Sequence, residues 1–377
     1  MTSSHVKKIC VLTSVHSAFD VRIFHKEAKT LHKAGYDVTL IAQNDKEEVF
    51  DGIRIVPLPK PRNRFERMTR TAWNAYWKAL KIDADIYHLH DPELLPFARI
   101  LALRGKRVIY DMHENVPKQI KNKGWINPFL RKYVAKLFSL AERIFLIDIH
   151  VIFAETSYHK DYLWIKKYTT ILNMPLTNQL FSLKNDAQKT KDVSVGYIGA
   201  VSAERGSLVT IEALNILKRR GIEIQFECVG PIDKSHEEKL LKLCEKYNLH
   251  KITFHGHMFA YEGWHIIAQC DIGLAILQPI PNYIESYPTK LFEYMAMGLP
   301  VIASNFQLYK EIVEGNNCGI CVDPLNPKEV AEAIEYLIDH PEEAKKLGEN
   351  GRHAVLKKYN WEKEGKKLIN LYEELLK

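Results

Sequence analysis

Glu285 and Glu293, separated by seven residues that include Pro288, Thr289 and Lys290, form the most chemically suggestive spacing in this 377-residue chain. Pro288 suits the first position of a helix, and Gly298 followed by Pro300 ends one, so the spacing predicts a helix from Pro288 to Met297. The first-turn N–H groups of such a helix have no partners within it and carry the positive end of its dipole, which suits a phosphate. Lys290 adds a full positive charge there. Carboxylates accept hydrogen bonds from sugar hydroxyls and are poor partners for phosphate. Glu285 in the loop above and Glu293 within the helix would therefore bracket a phosphate flanked by hydroxyl groups, the form of a nucleotide sugar. A solvated helix face over a core stripe of Leu291, Tyr294, Met295 and Leu299 accounts for the same residues without a ligand.

Other stretches could join that chemistry. Gly199 through Gly206 follows an apolar run and opens a helical pattern, the position of a phosphate loop, although no G-x-G-x-x-G or Walker spacing is present. Arg205 in that turn is a candidate bidentate partner for a diphosphate, or simply a surface arginine beside a glycine. His88, His90 and His113 fall where strands end. His88-x-His90 and His255-x-His257 are considered as metal ligands, but adjacent strand positions face opposite ways and no third ligand is evident, so no metal is expected. Cys318-x-x-Cys321 has no second pair and falls in a turn, which argues against zinc or redox chemistry.

These residues need two scaffolds. The length suits two domains of about 150 to 200 residues, and 46% hydrophobic with 26% charged residues is an ordinary globular composition. Lys7 to Thr13, the amphipathic stretch Arg22 to Lys33 ended by Gly35, and Asp37 to Ala42 read as strand, helix, strand. The alternation continues to Thr169–Leu172, lapses over 173–192, and restarts at Val193. The expected fold is α/β, with two Rossmann-like doubly wound domains facing a central cleft: residues 1–175, residues 176–358, and a last helix over 359–377 that crosses back.

Charge is uneven, with 29 Lys and Arg against 18 Asp and Glu up to Asn173, and 24 against 28 beyond it. Lys60 to Lys81 carries seven basic residues and one acid among Phe65, Trp73, Tyr76 and Trp77. Lys118 to Lys136 carries six and no acid, with Trp125, Phe129 and Tyr133. Such segments suit an anionic membrane surface or acceptor phosphates, and no nucleic-acid-reading motif accompanies them. No apolar run approaches the roughly 18 residues of a membrane span. The amino terminus lacks the apolar core of a signal peptide, so a cytoplasmic location is expected, peripheral on the inner membrane face.

The Glu285–Glu293 spacing followed by Tyr294-Met295-Ala296-Met297-Gly298-Leu299-Pro300-Val301 resembles glycosyltransferase family 4, the retaining nucleotide-sugar transferases of the GT-B fold. Tyr197-Ile198-Gly199 through Arg205-Gly206, Tyr110-Asp111-Met112-His113-Glu114 and the closing Trp361–Leu376 stretch extend the resemblance over nearly the whole chain. The resemblance implies that Glu285 holds hydroxyls of the donor hexose and Glu293 those of the ribose. It implies that Arg205 clamps the diphosphate with the amides near Pro288, Thr289, Lys290 and Leu291 beside Gly199, and that His113 approaches the donor sugar. The loop of Gly256, His257 and Phe259 would border the nucleobase. A nucleotide-sugar donor, with a UDP-sugar favoured, and no cofactor or metal are expected, and a lipid-linked or cell-surface glycan is the preferred acceptor. The family usually has arginine directly after Gly199, where this chain has Ala200; Lys290 is expected to supply that missing charge. A sugar epimerase or phosphorylase of the same fold, and an inactive nucleotide-sugar scaffold, are the alternatives.

Overall fold

The computed structural model describes residues 6–122, 126–183 and 193–377. The chain divides into two compact units, residues 1–173 with 362–377 and residues 174–361. In the first, β1 (Lys8–Ser17), β2 (Asp37–Gln43), β3 (Glu48–Phe50), β4 (Ile53–Leu58), β5 (Ile86–Leu89), β6 (Arg107–Met112), β7 (His150–Phe153) and β8 (Tyr168–Thr170) form one sheet in the order β3-β4-β2-β1-β5-β6-β7-β8. All pairs are parallel except β3 with β4. That edge hairpin, turned at Asp51-Gly52, was not anticipated, because Glu48-Val49-Phe50 is too short to show a period. The near-continuous apolar runs of β1 and β2 are what a sheet covered on both faces requires.

In the second unit, β9 (Ser194–Ile198), β10 (Gln225–Val229), β11 (Ile252–Gly256), β12 (Ile272–Ala275), β13 (Val301–Ser304) and β14 (Gly319–Val322) are all parallel, in the order β11-β10-β9-β12-β13-β14. Chain direction across the sheet reverses between β9 and β12, and in the first unit between β1 and β5. Open α/β sheets form ligand crevices outside the carboxyl ends of strands at such points.

Two local expectations change. Thr177–Leu183 forms a helix with Thr177, Leu180 and Leu183 buried, inside the stretch read as an unstructured linker. Residues 184–192 of that stretch lie outside the described ones. The last helix, Trp361–Leu376, belongs to the first unit from Glu362 onward. There Glu364 accepts from the Leu172 amide at 2.9 Å, and Leu368, Leu371 and Tyr372 are buried.

Candidate functional site

In the second unit the residues singled out in sequence gather at the carboxyl end of β9. The helix there runs Thr289–Met297, with Pro288 as its N-cap in extended backbone and Gly298 as its left-handed C-cap. Pro288 thus sits one position earlier than expected and has no N–H to offer. The Leu291 amide donates to the Pro288 carbonyl at 3.0 Å, and the Leu291 side chain is fully buried. The amides that helix geometry leaves facing outward are therefore those of Thr289 and Lys290.

Tyr294 holds this helix against the sheet. Its hydroxyl accepts from the Ile198 amide at 2.9 Å and donates to the Leu274 carbonyl at 3.2 Å, so one side chain ties the ends of β9 and β12. The ring passes over Gly273, where a Cβ would lie 2.4 Å from it.

One turn earlier on the same helix, Lys290 is carried to Gly199 just past β9. Its Nζ lies 3.0 Å from where a Cβ on Gly199 would stand, and Arg205 Nη1 lies 3.8 Å from that point. Gly199 has φ +126°, a conformation that side chains rarely adopt. Lys290 Nζ also sits 3.8 Å from the centre of the Tyr197 ring. The Lys290 side chain is buried, and among the described residues its Nζ has no hydrogen-bond partner. Burial, and then the Arg205 guanidinium, push its pKa well below the usual lysine range, with Glu293 opposing. Arg205 packs over the Tyr283 ring at 5.5 Å, and Tyr283 belongs to the short helix Pro281–Ile284 that ends at Glu285. Two cations, two outward amides and two half-buried carboxylates, Glu285 and Glu293, thus occupy one neighbourhood.

Gly256 ends β11 in left-handed backbone, and its carbonyl accepts from the Gly230 amide. His257 and Phe259 beyond it are exposed, Phe259 at 79%. Sequence reasoning placed Tyr294 in a core stripe and Tyr197 in a quoted motif without giving either a contact, and did not name Tyr283. Aromatics one turn or one strand away from a charged residue were the available signal.

In the first unit, His113 follows β6 and is partly exposed. Its Nε2 shares a 2.9 Å hydrogen bond with His90 Nδ1, and the rings stack. Behind them lies a buried polar cluster. His88 and His90 are two positions apart and share a face of β5, their ring centres 4.5 Å apart. The expectation that they diverge is corrected on that ground. Glu27 and Asp111 join them, one ligand atom from each of the four residues lying within 4.8 Å of the rest, so the missing third ligand exists. A cation already serves both carboxylates: Arg22 bonds Asp111 through Nη2 at 2.8 Å and Nε at 3.2 Å, and its Nε lies 2.9 Å from Glu27 Oε1. Burial pushes the Asp111 carboxyl up, but Arg22, His113, His90 and the hydrogen bond with Glu27 together outweigh it and hold Asp111 well below the usual range. Burial, and then Asp111, push Glu27 well above its own. Burial lowers His88 to about 4 and also depresses His90 and His113, so the three rings are neutral at physiological pH. Tyr372 from the last helix closes the cluster with a 2.9 Å contact to His88 Nδ1. Arg22, Lys26 and Glu27, charged residues buried beside Ile23, Phe24 and Ala28 in one short helical stretch, were the sequence signal for it.

With the geometry in place, comparison with known proteins gives the class. The family model described as glycosyl transferases group 1 matches residues 181–354, and that of glycosyltransferase family 4 matches residues 21–165. Together they take in most of both units, and the chain belongs to these family 4, group 1 glycosyltransferases. It is similar to alpha-D-kanosaminyltransferase of Streptomyces kanamyceticus, 31% identical over 180 residues, which is 48% of this chain and 45% of that protein. The chain spans about half the length, or less, of the curated relatives it matches. Among solved structures, sucrose-phosphate synthase from Thermosynechococcus elongatus superposes with a TM-score of 0.75 at 20% identity, covering 98% of this chain and 99% of that one. Anabaena HepE in complex with UDP and glucose gives 0.73 at 15% identity, over 98% and 100%. These two likenesses bear on the fold, which is the GT-B fold expected from the sequence.

Proposed function

We propose that this chain transfers a hexose from a nucleotide sugar, with a UDP-sugar favoured, to a lipid-linked or cell-surface glycan acceptor, retaining the anomeric configuration. The observation that carries the reading is the Lys290 ammonium, buried without a hydrogen bond beside Gly199 and Arg205. A desolvated cation with no acceptor is costly, and a diphosphate held there removes the cost. Arg205, Lys290 and the amides of Thr289 and Lys290 would grip the diphosphate and stabilise its departure, taking the place of a metal ion. Glu293 would hold the ribose hydroxyls, Glu285 the hexose hydroxyls, and the loop of Gly256, His257 and Phe259 the base. His113, neutral and oriented by His90, would approach the donor sugar as a hydrogen-bonding group. The UDP preference draws on the UDP bound in the HepE structure. Lys60–Lys81 and Lys118–Lys136 would meet an anionic membrane at the cytoplasmic face, where a lipid-linked acceptor is presented.

A thermal-shift comparison of UDP, GDP and ADP sugars tests the reading, since a ligand that binds only the folded state raises its melting temperature. A rise selective for one base is expected, strongest for UDP-sugars. If none of the nucleotide sugars shifts the transition, the donor-site assignment fails. NMR of the transferred product then reads the anomeric outcome.

A further inference from the structure

The helix Pro128–Phe145 is inside out for a soluble protein. Among its eighteen residues the buried ones are Ala135 and Glu142, a small side chain and an acid. Phe138 and Phe145 pack against the core, but the other large apolar side chains face outward: Phe129 is 86% exposed, Tyr133 72%, Leu137 69% and Leu140 55%, with Leu130 and Ile144 completing a stripe at helical spacing. A stripe of this kind normally faces a core, and a contiguous exposed apolar patch marks an interaction site. Exposed Lys132, Lys136 and Arg143 flank the stripe.

The fold enlarges this face. The connections from β4 to β5, β5 to β6 and β6 to β7 all advance the same way across the first sheet. Right-handed crossovers therefore place the helices Ala72–Ile82, Leu95–Leu103 and Pro128–Phe145 side by side on one face. Contacts agree with that order: Tyr76 stacks on Phe97 at 5.0 Å, and Arg99 donates to the Ile147 carbonyl at 2.9 Å. The two basic stretches read separately in sequence thus share one surface, onto which Trp73, Trp77 and Leu103 also emerge. Lys123 and Trp125 of the second stretch lie outside the described residues. Several basic side chains are engaged locally, Arg67 with Glu93, Arg70 with Glu66, Lys118 with Asp161, Lys78 with the Pro57 carbonyl, Arg131 with the Ile126 carbonyl and Arg143 over the Trp164 ring. The exposed acids Asp83 and Asp148 at the ends of these elements are paired with Lys106 and Lys167.

We propose that this three-helix face is a docking surface for an anionic phospholipid bilayer. The helix Pro128–Phe145 lies in the headgroup plane, its apolar stripe entering the acyl boundary while its lysines and arginines meet lipid phosphates. Apolar stripe and basic flank together are the requirements of an interfacial helix. A second copy of the chain fits less well, because a back-to-back pair would set basic flank against basic flank. The inference specifies the membrane partner named in the proposed function, and rests on that reading only for the use made of the docking.

The test is flotation of the full chain with vesicles of phosphatidylcholine alone and of phosphatidylcholine mixed with phosphatidylglycerol. Binding is expected for the mixed vesicles and should fall with added salt. Leu137→Gln and Leu140→Gln, both at exposed positions, should each weaken partitioning about tenfold. Lys132→Gln and Lys136→Gln should each weaken it about fivefold. Leu241→Gln, an exposed leucine of the second unit, should leave it unchanged. Equal weak binding to both vesicle types overturns the proposal. So does wild-type flotation of the two leucine variants, or sedimentation showing that the stripe instead closes a homodimer. Donor binding, read by thermal shift without vesicles, survives such a failure, so the two readings fall separately.

Discussion

The Nζ of Lys290 stands 3.0 Å from the point where Gly199 would carry a Cβ, so the absent side chain of one residue is the space taken by the charge of the other. On the proposed reading this pairing gives a physical sense to Ala200, at the place where the family usually has arginine: the second cation for the donor would come from the helix Thr289–Met297 instead of from the loop.

Replacing Lys290 with alanine should lower kcat/KM for a nucleotide-sugar donor by one to two orders of magnitude, since a charge-assisted contact is worth about 1.5 to 3 kcal/mol. The folded state should be no less stable without the substrate, because a buried cation lacking a hydrogen bond is removed. Gly199→Ala should lose donor affinity and also destabilise, because φ there is +126°. Wild-type kinetics in K290A would sink the assignment.

The two acids should separate in calorimetry. Glu293→Gln is expected to weaken both UDP and UDP-sugar, because the ribose is common to them. Glu285→Gln should weaken the UDP-sugar alone. Equal losses for both ligands in both variants would contradict the division of roles.

Arg22→Met leaves Asp111 buried with no cation. Breaking one side of a buried charge pair costs about 3 to 5 kcal/mol, which denaturant unfolding should register. Replacing Arg22 and Asp111 together, by Met and Asn, should recover part of that loss. If the double variant is as unstable as the single one, the pair is not the source.

Glu142 supplies a pH dependence. Burial raises its carboxyl to about 8, so it contributes stability in the protonated form, fully below its unfolded pKa and progressively less as pH rises through the folded value. Glu142→Gln should therefore melt with the native chain in mild acid and several degrees above it at about pH 9. Parallel melting curves for the two proteins across that range would place the titration elsewhere.

Much of this was legible in the residues. Strand runs bounded by Gly and polar turns marked both sheets, and the Glu285–Pro300 stretch pointed to a phosphate-holding helix end before any comparison. Three-dimensional relations were less accessible. The cluster of Arg22, Glu27, His88, His90 and Asp111 joins segments far apart in sequence, and treating His88-x-His90 as divergent hid its shared face. Pro288 was displaced by one residue because a proline fits a cap as well as a first turn. The short β3 edge strand depends on pairing with β4, a contact no local period announces.

Tyr294 ties two strands with one hydroxyl, while Phe259 beyond β11 is left in solvent. On the proposed reading, grip and selectivity would be built on parts of unequal tolerance to change. The hydroxyl-locked helix end admits little variation without shifting the strands it joins. The loop at residues 257–259 exposes the His257 and Phe259 side chains, with Phe259 serving the fold through its backbone as the N-cap of the next helix. If that loop borders the base as proposed, donor preference would be open to revision by short loop grafts, with the charge-holding framework carried along intact.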